Sequence, residues 1–457
     1  MTSTIAAIST AVGEAGIGIV RLSGRNAIEI AKNVFVRAKD KAETEGENRK
    51  LLYGHIIDSD EIIDEVLIAF MKEPFTYTRE NMVEIYCHGG IIPVKKILEL
   101  VLRNGAQLAE PGEFTKRAFL NGRLDLPQAE AVIDIIKAKT EKSHEISMKQ
   151  LEGALSSEVD RIRRILLTMM AHIEVSIDFP EEDIPEVTYD ELLDSGNSVK
   201  ESIEKLLRTS DRGRILRDGL KTVILGKPNV GKSSLLNAVL RENRAIVTDI
   251  PGTTRDVIEE YINIDGIPLK IIDTAGIRHT EDIVEKIGVD RAKESLEKAD
   301  LIIAIFDISE ELTDDDYHII ELIRDKKTII LLNKTDLPSI YKESFYSDLF
   351  SGKEVITTSL TRGIGVEQLE NSIRNMFYEG DLSVDSDMVI NNIRHKNLLQ
   401  ISMENIESAL LDLANKVPLD CVEVDLKNCW ENMGEITGES IGEDVLDRIF
   451  SEFCIGK

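Results

Sequence analysis

Gly226-Lys227-Pro228-Asn229-Val230-Gly231-Lys232-Ser233 stands in mid-chain between an apolar run, Thr222-Val223-Ile224-Leu225, and a helix-patterned run, Ser234-Leu235-Leu236-Asn237-Ala238-Val239-Leu240. Strand, glycine-containing loop and helix in that order make a phosphate cradle. The glycines let backbone N–H groups approach the phosphates, and the helix N-terminus adds partial positive charge. Lys232 is placed to reach the β- and γ-phosphates, and the Ser233 hydroxyl to ligate Mg²⁺. Such a loop serves ATP and GTP alike, so the base must be read downstream.

Three further boxes decide it. Asp273-Thr274-Ala275-Gly276 follows Ile271-Ile272, which puts Asp273 at a strand end for a contact one layer out from the metal and aims the Gly276 N–H at the γ-phosphate. Asn333-Lys334-Thr335-Asp336 follows Thr328-Ile329-Ile330-Leu331-Leu332. A carboxylate at Asp336 accepts from guanine's N1–H and exocyclic amine together, and adenine would leave it unpaired. Thr358-Ser359-Leu360, after Val355-Ile356-Thr357, fits a last base-contacting loop through backbone N–H groups. Any one box also reads as a polar strand-end turn, and for the last the two readings are even. Four boxes in this order, each after an apolar run, read as a P-loop, Ras-like G domain.

The switch between the first two boxes is Ala245-Ile246-Val247-Thr248-Asp249-Ile250-Pro251-Gly252-Thr253-Thr254-Arg255-Asp256, with Thr254 or Thr253 placed to close over Mg²⁺ and the γ-phosphate. Asp265-Gly266 makes a tight hairpin between Tyr261–Ile264 and Leu269–Ile272. After Gly276 comes Ile277, where Ras-like enzymes carry the glutamine that orients water. An isoleucine moves no proton, so hydrolysis is organised otherwise. An arginine finger from a partner, worth roughly 10³–10⁵ in rate, or a bound cation would serve. Asn229 is a neutral oxygen donor facing the phosphates, although from the residues alone it reads as a loop-stabilising amide.

At 457 residues the chain holds two or three domains, with the G domain over about 220–380. Trp430 is the only tryptophan, so the core is mainly aliphatic. A net charge of −28 argues against autonomous, high-affinity RNA binding; an RNA substrate would need a basic partner or a local patch. Cys87, Cys421, Cys429 and Cys454 lack metal-ligand spacing and fit a reducing cytosol. The lack of a bilayer-length apolar run and of a signal peptide gives the expectation of a cytoplasmic chain without membrane attachment.

Before the G domain, Gly16–Gly24 reads as a strand after a glycine-rich turn, Ala27–Val36 as a helix, Val66–Phe70 and Met82–Cys87 as strands, and Val94–Leu102 as a helix. That alternation predicts an α+β domain. Lys39–Lys50 reads as an exposed charged loop, and His88-Gly89-Gly90 as the turn into a helix. From Pro127, which suits a helix's first position, the period becomes helical. Leu151, Leu155, Val159, Ile162, Leu166, Met169 or Met170 and Ile173 predict one long amphipathic helix, broken at Phe179–Asp183, and another runs over Tyr189–Arg208. Beyond the G domain, Ile393–Lys416 and the stripe Leu419, Val422, Leu426, Trp430, Met433 and Ile436 are helical. Neither helical half buries its stripe alone, so we expect one helical domain with the G domain inserted. The chain closes on Phe450-Ser451-Glu452-Phe453-Cys454-Ile455-Gly456-Lys457 after a helix from about Glu443. The end reads as a packing tail; a chemical thiol is the alternative.

Gly18-Ile19-Val20-Arg21-Leu22-Ser23-Gly24, the run Pro111-Gly112-Glu113-Phe114-Thr115-Lys116-Arg117-Ala118-Phe119-Leu120-Asn121-Gly122-Arg123-Leu124-Asp125-Leu126, the Thr248–Asp256 switch and the terminal Cys454-Ile455-Gly456-Lys457 together resemble the tRNA modification GTPases of the MnmE (TrmE) family. The resemblance spans essentially the whole chain. It implies an α/β and α+β multidomain protein: a tetrahydrofolate-binding and dimerisation domain over 1–119, a helical domain over 120–214 and 381–457, and a G domain over 215–380. It implies a homodimer working with a flavin-dependent partner (MnmG, also called GidA) in a heterotetramer that contacts tRNA. Together they install aminomethyl or carboxymethylaminomethyl groups at C5 of the wobble uridine, the one-carbon unit coming from 5-formyl- or methylene-tetrahydrofolate.

At residue level the resemblance implies K⁺ in place of the arginine finger, held by the Asn229 side chain and the backbone of Thr248, Ile250 and Thr253. Mg²⁺ maps onto Ser233 and Thr254. GTP contacts map onto Asn229, Val230, Gly231, Lys232, Ser233 and Ser234, the switch Thr248, Asp249, Ile250, Pro251, Gly252, Thr253 and Thr254, then Asp273, Thr274, Ala275, Gly276, Asn333, Lys334, Asp336 and Ser359. Lys232 and Glu285 are the catalytic expectations; Glu285 maps onto a water-orienting glutamate in Val284-Glu285-Lys286-Ile287-Gly288, though by itself it reads as an ordinary solvated glutamate. Folate contacts map onto Arg21, Glu80, Arg123 and Lys457. A carboxylate pairs with the pterin's guanidine-like edge, and cations suit the glutamate tail; each residue also has a plain salt-bridge reading. The last base loop departs from the commoner Ser-Ala pattern, and Cys454 stays open between thiol chemistry and packing. The rival readings are a ribosome-assembly G protein, a folate-dependent one-carbon transferase regulated by its G domain, and a dimerising scaffold without chemistry.

Overall fold

The computed structural model describes residues 3–38, 48–178, 188–242, 260–272, 296–378 and 389–457. The N-terminal sheet contains β1 (Ile5–Ile8), β2 (Gly18–Ser23), β3 (Phe35–Arg37), β4 (Leu51–Asp58), β5 (Glu61–Met71), β6 (Met82–Cys87) and β7 (Gln107–Leu108), in the order β3-β4-β5-β6-β2-β1-β7. All described pairings are antiparallel except β1 with β7. Helices Ala27–Val34 and Ile91–Arg103 cover one face through Ala27, Ile30, Ala31, Val94, Ile97 and Val101. The first helix is shorter than its pattern predicts: Phe35 and Val36 leave it for β3, as β-branched and aromatic residues do when a neighbouring edge is open.

The second sheet is the one expected from the nucleotide boxes. It comprises β8 (Leu220–Leu225), β9 (Glu260–Ile264), β10 (Ile267–Ile272), β11 (Leu301–Asp307), β12 (Thr328–Asn333) and β13 (Glu354–Thr357), ordered β13-β12-β11-β8-β10-β9. Its strands are parallel apart from the β9–β10 hairpin. Every residue of β11 and β12 is buried, as in a parallel sheet covered on both faces. Asp265 (φ 53°) and Gly266 (φ 85°) form the hairpin turn, both with the positive φ that a type I′ turn requires. Strand order reverses around β8, so the loops after β8, β12 and β13 gather at one carboxyl edge.

Helices Ala154–Asp178, Tyr189–Asp218, Ile393–Ala414 and Leu419–Thr437 share one core, including Val159, Ile162, Leu166, Val199, Ile203, Leu399, Ile406, Leu426, Cys429 and Met433. Two expectations change. Leu151 ends a separate helix, Glu141–Leu151, because Gly153 turns the chain at φ 92° before the long helix begins. The helix from Tyr189 does not stop at Arg208 but runs on to Asp218 and leads directly into β8, ending at Gly219. Thr209 and Ser210 are tolerated within it because their hydroxyls bond back to Leu206 and Leu207 carbonyls. On Leu419–Thr437 the fully buried stripe passes through Cys429, and Trp430 is only partly covered. No helix among the described residues is long and apolar enough to cross a membrane.

Candidate functional site

The phosphate loop leaves β8 and turns on Asn229 (φ 63°) and Gly231 (φ 116°) before the helix Lys232–Glu242. Asparagine tolerates the left-handed region better than other non-glycine residues. Gly231 is required twice over: its φ is positive, and a Cβ there would lie 2.4 Å from Asn333 Nδ2. That approach exists because Asn333, at the end of β12, donates to the Val230 carbonyl at 2.7 Å. Its Oδ1 accepts from the Leu360 N–H and the Thr358 hydroxyl, each at 3.2 Å. One buried amide therefore ties together the phosphate loop and the loops after β12 and β13. Lys232 Nζ donates to the Gly226 and Lys227 carbonyls at 2.5 and 2.8 Å, and burial lowers its pKa. A polyphosphate is the anion that would pair with its charge in that nest.

Asp336 accepts from Ser359 Oγ at 2.6 Å, and that hydrogen bond first of all holds its carboxyl below the usual range. It is thus an ionised acceptor, as recognition of guanine's two donors requires. Thr335 is pinned to the Thr358 carbonyl through both N–H and hydroxyl. Lys334 Nζ contacts Asp307 Oδ2 at 2.5 Å. Burial pushes the Asp307 carboxyl up, but Lys334 and Ser309 outweigh it and leave it lowered. Asp307 was not singled out from the sequence, although it closes the apolar run Leu301–Phe306 as Asp273 closes Ile271-Ile272, a signal that would have found it. The expectations at Thr248, Asp249, Ile250, Pro251, Gly252, Thr253, Thr254, Asp273, Thr274, Ala275, Gly276 and Glu285 lie outside the described residues, as does Ile277.

A second constellation forms where the chain's end meets the N-terminal sheet. Arg21 and Glu84 face each other in the β2–β6 register and pair at 2.8 Å. The Arg21 and Arg123 guanidinium carbons lie 6.0 and 4.6 Å from the Tyr77 ring centroid. Lys457 is half-buried nearby; burial first, then the Arg21 charge, lowers its pKa. The tail is held by backbone: Phe114 N–H donates to the Lys457 carbonyl at 3.2 Å, and Ser9 Oγ to the Gly456 carbonyl at 3.1 Å. Gly456 (φ 92°) admits this approach, since a Cβ would lie 2.2 Å from the Ile8 carbonyl oxygen. Phe453 is buried and does the packing, while the Cys454 thiol is exposed.

Glu80 is held by other partners. Its carboxylate accepts from Ser23 Oγ at 2.7 Å and from Arg117 Nη1 at 3.1 Å. Arg117 is 1% exposed and also pairs with Glu113 at 2.8 Å. Sequence reading gave Arg117 no task; its i,i+4 spacing from Glu113 was the available signal. The structure thus brings Arg21 and Arg123 to one aromatic ring with Lys457 close to Arg21, and pairs the partly covered Glu80 with the buried Arg117.

The family model for the MnmE helical domain matches residues 126–454, and that for the GTP-binding protein TrmE N-terminus matches residues 4–123. The chain is 57% identical to the tRNA modification GTPase MnmE of Finegoldia magna, over 100% of both chains. It is 56% identical to that of Alkaliphilus oremlandii, over 99% of each.

The chain belongs to the MnmE family.

The Bacillus subtilis member is 51% identical, over 99% of this chain and 100% of its own. Among solved structures, Era in complex with MgGDPNP and 16S ribosomal RNA nucleotides is 28% identical, over 40% of this chain and 65% of that one, at a TM-score of 0.26. The helical-domain match spans residues on both sides of the six-stranded sheet, and helices from both sides share a core.

Proposed function

We propose that this chain is a GTP hydrolase that takes part in modification of the tRNA wobble uridine at C5. The observation that carries the nucleotide part is the Asn333 amide, which locks the phosphate loop and both base loops into one carboxyl-edge site. Family membership carries the tRNA part. Lys232 and the loop's N–H groups bind the triphosphate, Asp336 selects guanine, and Ser233 and Thr254 hold Mg²⁺. Asn229, with the backbone of Thr248, Ile250 and Thr253, holds K⁺. Bound Mg²⁺ and K⁺ supply positive charge where negative charge gathers on the phosphoryl oxygens. Glu285 orients the attacking water, a task Ile277 cannot perform.

The Tyr77 constellation fits a folate. Its aromatic face and the cations Arg21, Arg123 and Lys457 suit a pterin carrying a glutamate tail, and the Glu80 carboxylate suits the pterin's amidine-like edge. We assign 1–119 to folate binding and dimerisation, 120–214 with 381–457 to a helical domain, and 215–380 to an inserted G domain. In this reading a cytoplasmic homodimer brings two G domains together across their switches when GTP is bound. It works with a flavin-dependent MnmG-type partner, which supplies much of the tRNA contact that a chain of charge −28 does not.

The test is mass spectrometry of tRNA nucleosides from a deletion strain complemented with this chain or with Lys232→Ala. Restored C5-modified uridine with the parent and its absence with the variant are expected. Restoration by both would detach GTP turnover from the modification and favour a folate-dependent transferase instead.

A further inference from the structure

The helix Leu126–Lys137 presents two faces about 100° apart, since consecutive helical residues are offset by that angle. On one face Leu126, Ala129 and Ile133 pack against Leu446, Phe450 and Phe453, the stem of the terminal segment that ends in Cys454 and Lys457. On the other face Glu130 and Asp134 are both buried, at 3% and 5% exposure. Buried carboxylates are retained only with partners, and here the partners come from both covalent connections of the G segment.

Arg217, three residues before β8, donates from Nε to Asp134 Oδ1 at 2.8 Å. Asn391, on the outgoing connection, donates to the other oxygen of the same carboxylate at 3.1 Å. Asn392 and Arg394, next along that connection, donate to Glu130 at 3.0 and 3.1–3.2 Å, and His395 Nε2 lies 2.8 Å from it. The two connections are also joined to each other: Ile390 N–H donates to Thr209 Oγ1, and a Cβ on Gly213 would lie 2.0 Å from the Ile390 carbonyl oxygen. Arg217 sits in the last turn of the helix that leads into β8 and Asn391 opens the return into the helical core, so the Asp134 carboxylate stands where the two connections of the six-stranded sheet meet the helices.

We infer that Asp134 and Glu130 are positioning residues that couple the nucleotide state of the G segment to the seating of the terminal segment against the N-terminal sheet. Asp134 grips the incoming and outgoing chain at once, and the adjacent face of its helix carries the apolar seat of Phe450 and Phe453. Rotation or translation of that helix shifts the Phe453–Lys457 segment with it. The inference rests on the reading of this chain as a GTPase, but not on what tRNA chemistry follows.

The exposed Cys454 thiol reports on the segment, and Cys87 and Cys429 are buried. In the full-length protein carrying Cys421→Ser, the rate of Cys454 labelling by a maleimide is measured with GDP and with a non-hydrolysable GTP analogue, both in Mg²⁺ and K⁺. A difference of at least threefold between the nucleotides is expected. In Asp134→Ala the ratio should fall to about one while GTP hydrolysis stays within twofold of the parent. Asn391→Ala, which removes one hydrogen bond and leaves the Asp134–Arg217 pair, gives the same test in a variant that keeps its fold; a ratio moved at least halfway toward one is expected. An unchanged ratio in folded variants, or equal labelling in both nucleotides in the parent, overturns the coupling. Absence of GTP hydrolysis in the parent overturns the functional reading, and this inference with it.

Discussion

At Gly231 a single hydrogen atom in place of a methyl group decides whether the nucleotide site can form. The Asn333 amide lies where a Cβ would stand, and flexible displacement is not open to it because its oxygen and nitrogen are both engaged in the interior. Gly231→Ala should weaken GTP binding at least tenfold, read by titration with a fluorescent guanine nucleotide, while the far-ultraviolet dichroism stays that of the parent. Undiminished affinity would mean that the loop closes without the Asn333 tie. Asp336→Asn leaves the Ser359 contact geometrically possible but replaces an acceptor by a donor toward the base, so GTP affinity should fall by more than tenfold in the same titration.

Among the elements, the Leu126–Lys137 helix shows how capping and charge combine. Asp125 and Gln128 form a reciprocal capping box at its start, and Gln128 and Gln150 bond across to the carbonyls of Leu151 and Pro127. Glu130 lies beyond that anchored first turn. Burial alone would raise its pKa, but His395 and Arg394 hold it down to about 2 from the usual 4.5. A carboxyl whose folded-state pKa is depressed stabilises the fold above the unfolded value and loses that contribution as the pH falls through the folded value. Melting temperature should therefore drop steeply from pH 4.5 toward 2, and Glu130→Gln should flatten that limb. Asp134 has the opposite sign, raised mainly by burial against the pull of Arg217, so it favours the folded state at low pH. A limb equally steep in Glu130→Gln would assign acid sensitivity to other carboxylates.

For the molecule as a whole, folate binding by the terminal segment and the basal rate of GTP hydrolysis are predicted to be separable, whatever coupling joins the nucleotide state to the seating of that segment. Deleting residues 454–457 removes Lys457 and the backbone pairing with Pro111 and Phe114. Binding of 5-formyl-tetrahydrofolate, followed by calorimetry, should fall at least tenfold, with GTP hydrolysis within twofold of the parent. Parallel loss of both would place the tail in the nucleotide chemistry instead. If K⁺ has the role proposed for it, replacing K⁺ by Na⁺ at equal ionic strength should slow hydrolysis at least tenfold, because Ile277 offers no side-chain substitute. Equal rates in the two salts would remove the cation from the mechanism and return an arginine finger to consideration.

How much was legible follows from which interactions are local. The nucleotide sheet could be read because the boxes read as polar turns after apolar runs, and burial on both faces of a parallel strand writes itself into consecutive residues such as Thr328–Leu332. The helical stripes of Ala154–Asp178 and Leu419–Thr437 were readable for the same reason, through their three- and four-residue spacing. The ends of elements were not: the helix from Tyr189 outlasts its apparent stop because Ile390 and the Asp134 pairing stabilise its last turns from outside. Nor did sequence spacing alone bring Lys457 beside Arg21, Glu80 to Arg117, or Arg217 and Asn391 to one carboxylate. Those contacts join residues tens to hundreds of positions apart, and only the packing of sheet, bundle and tail makes them neighbours.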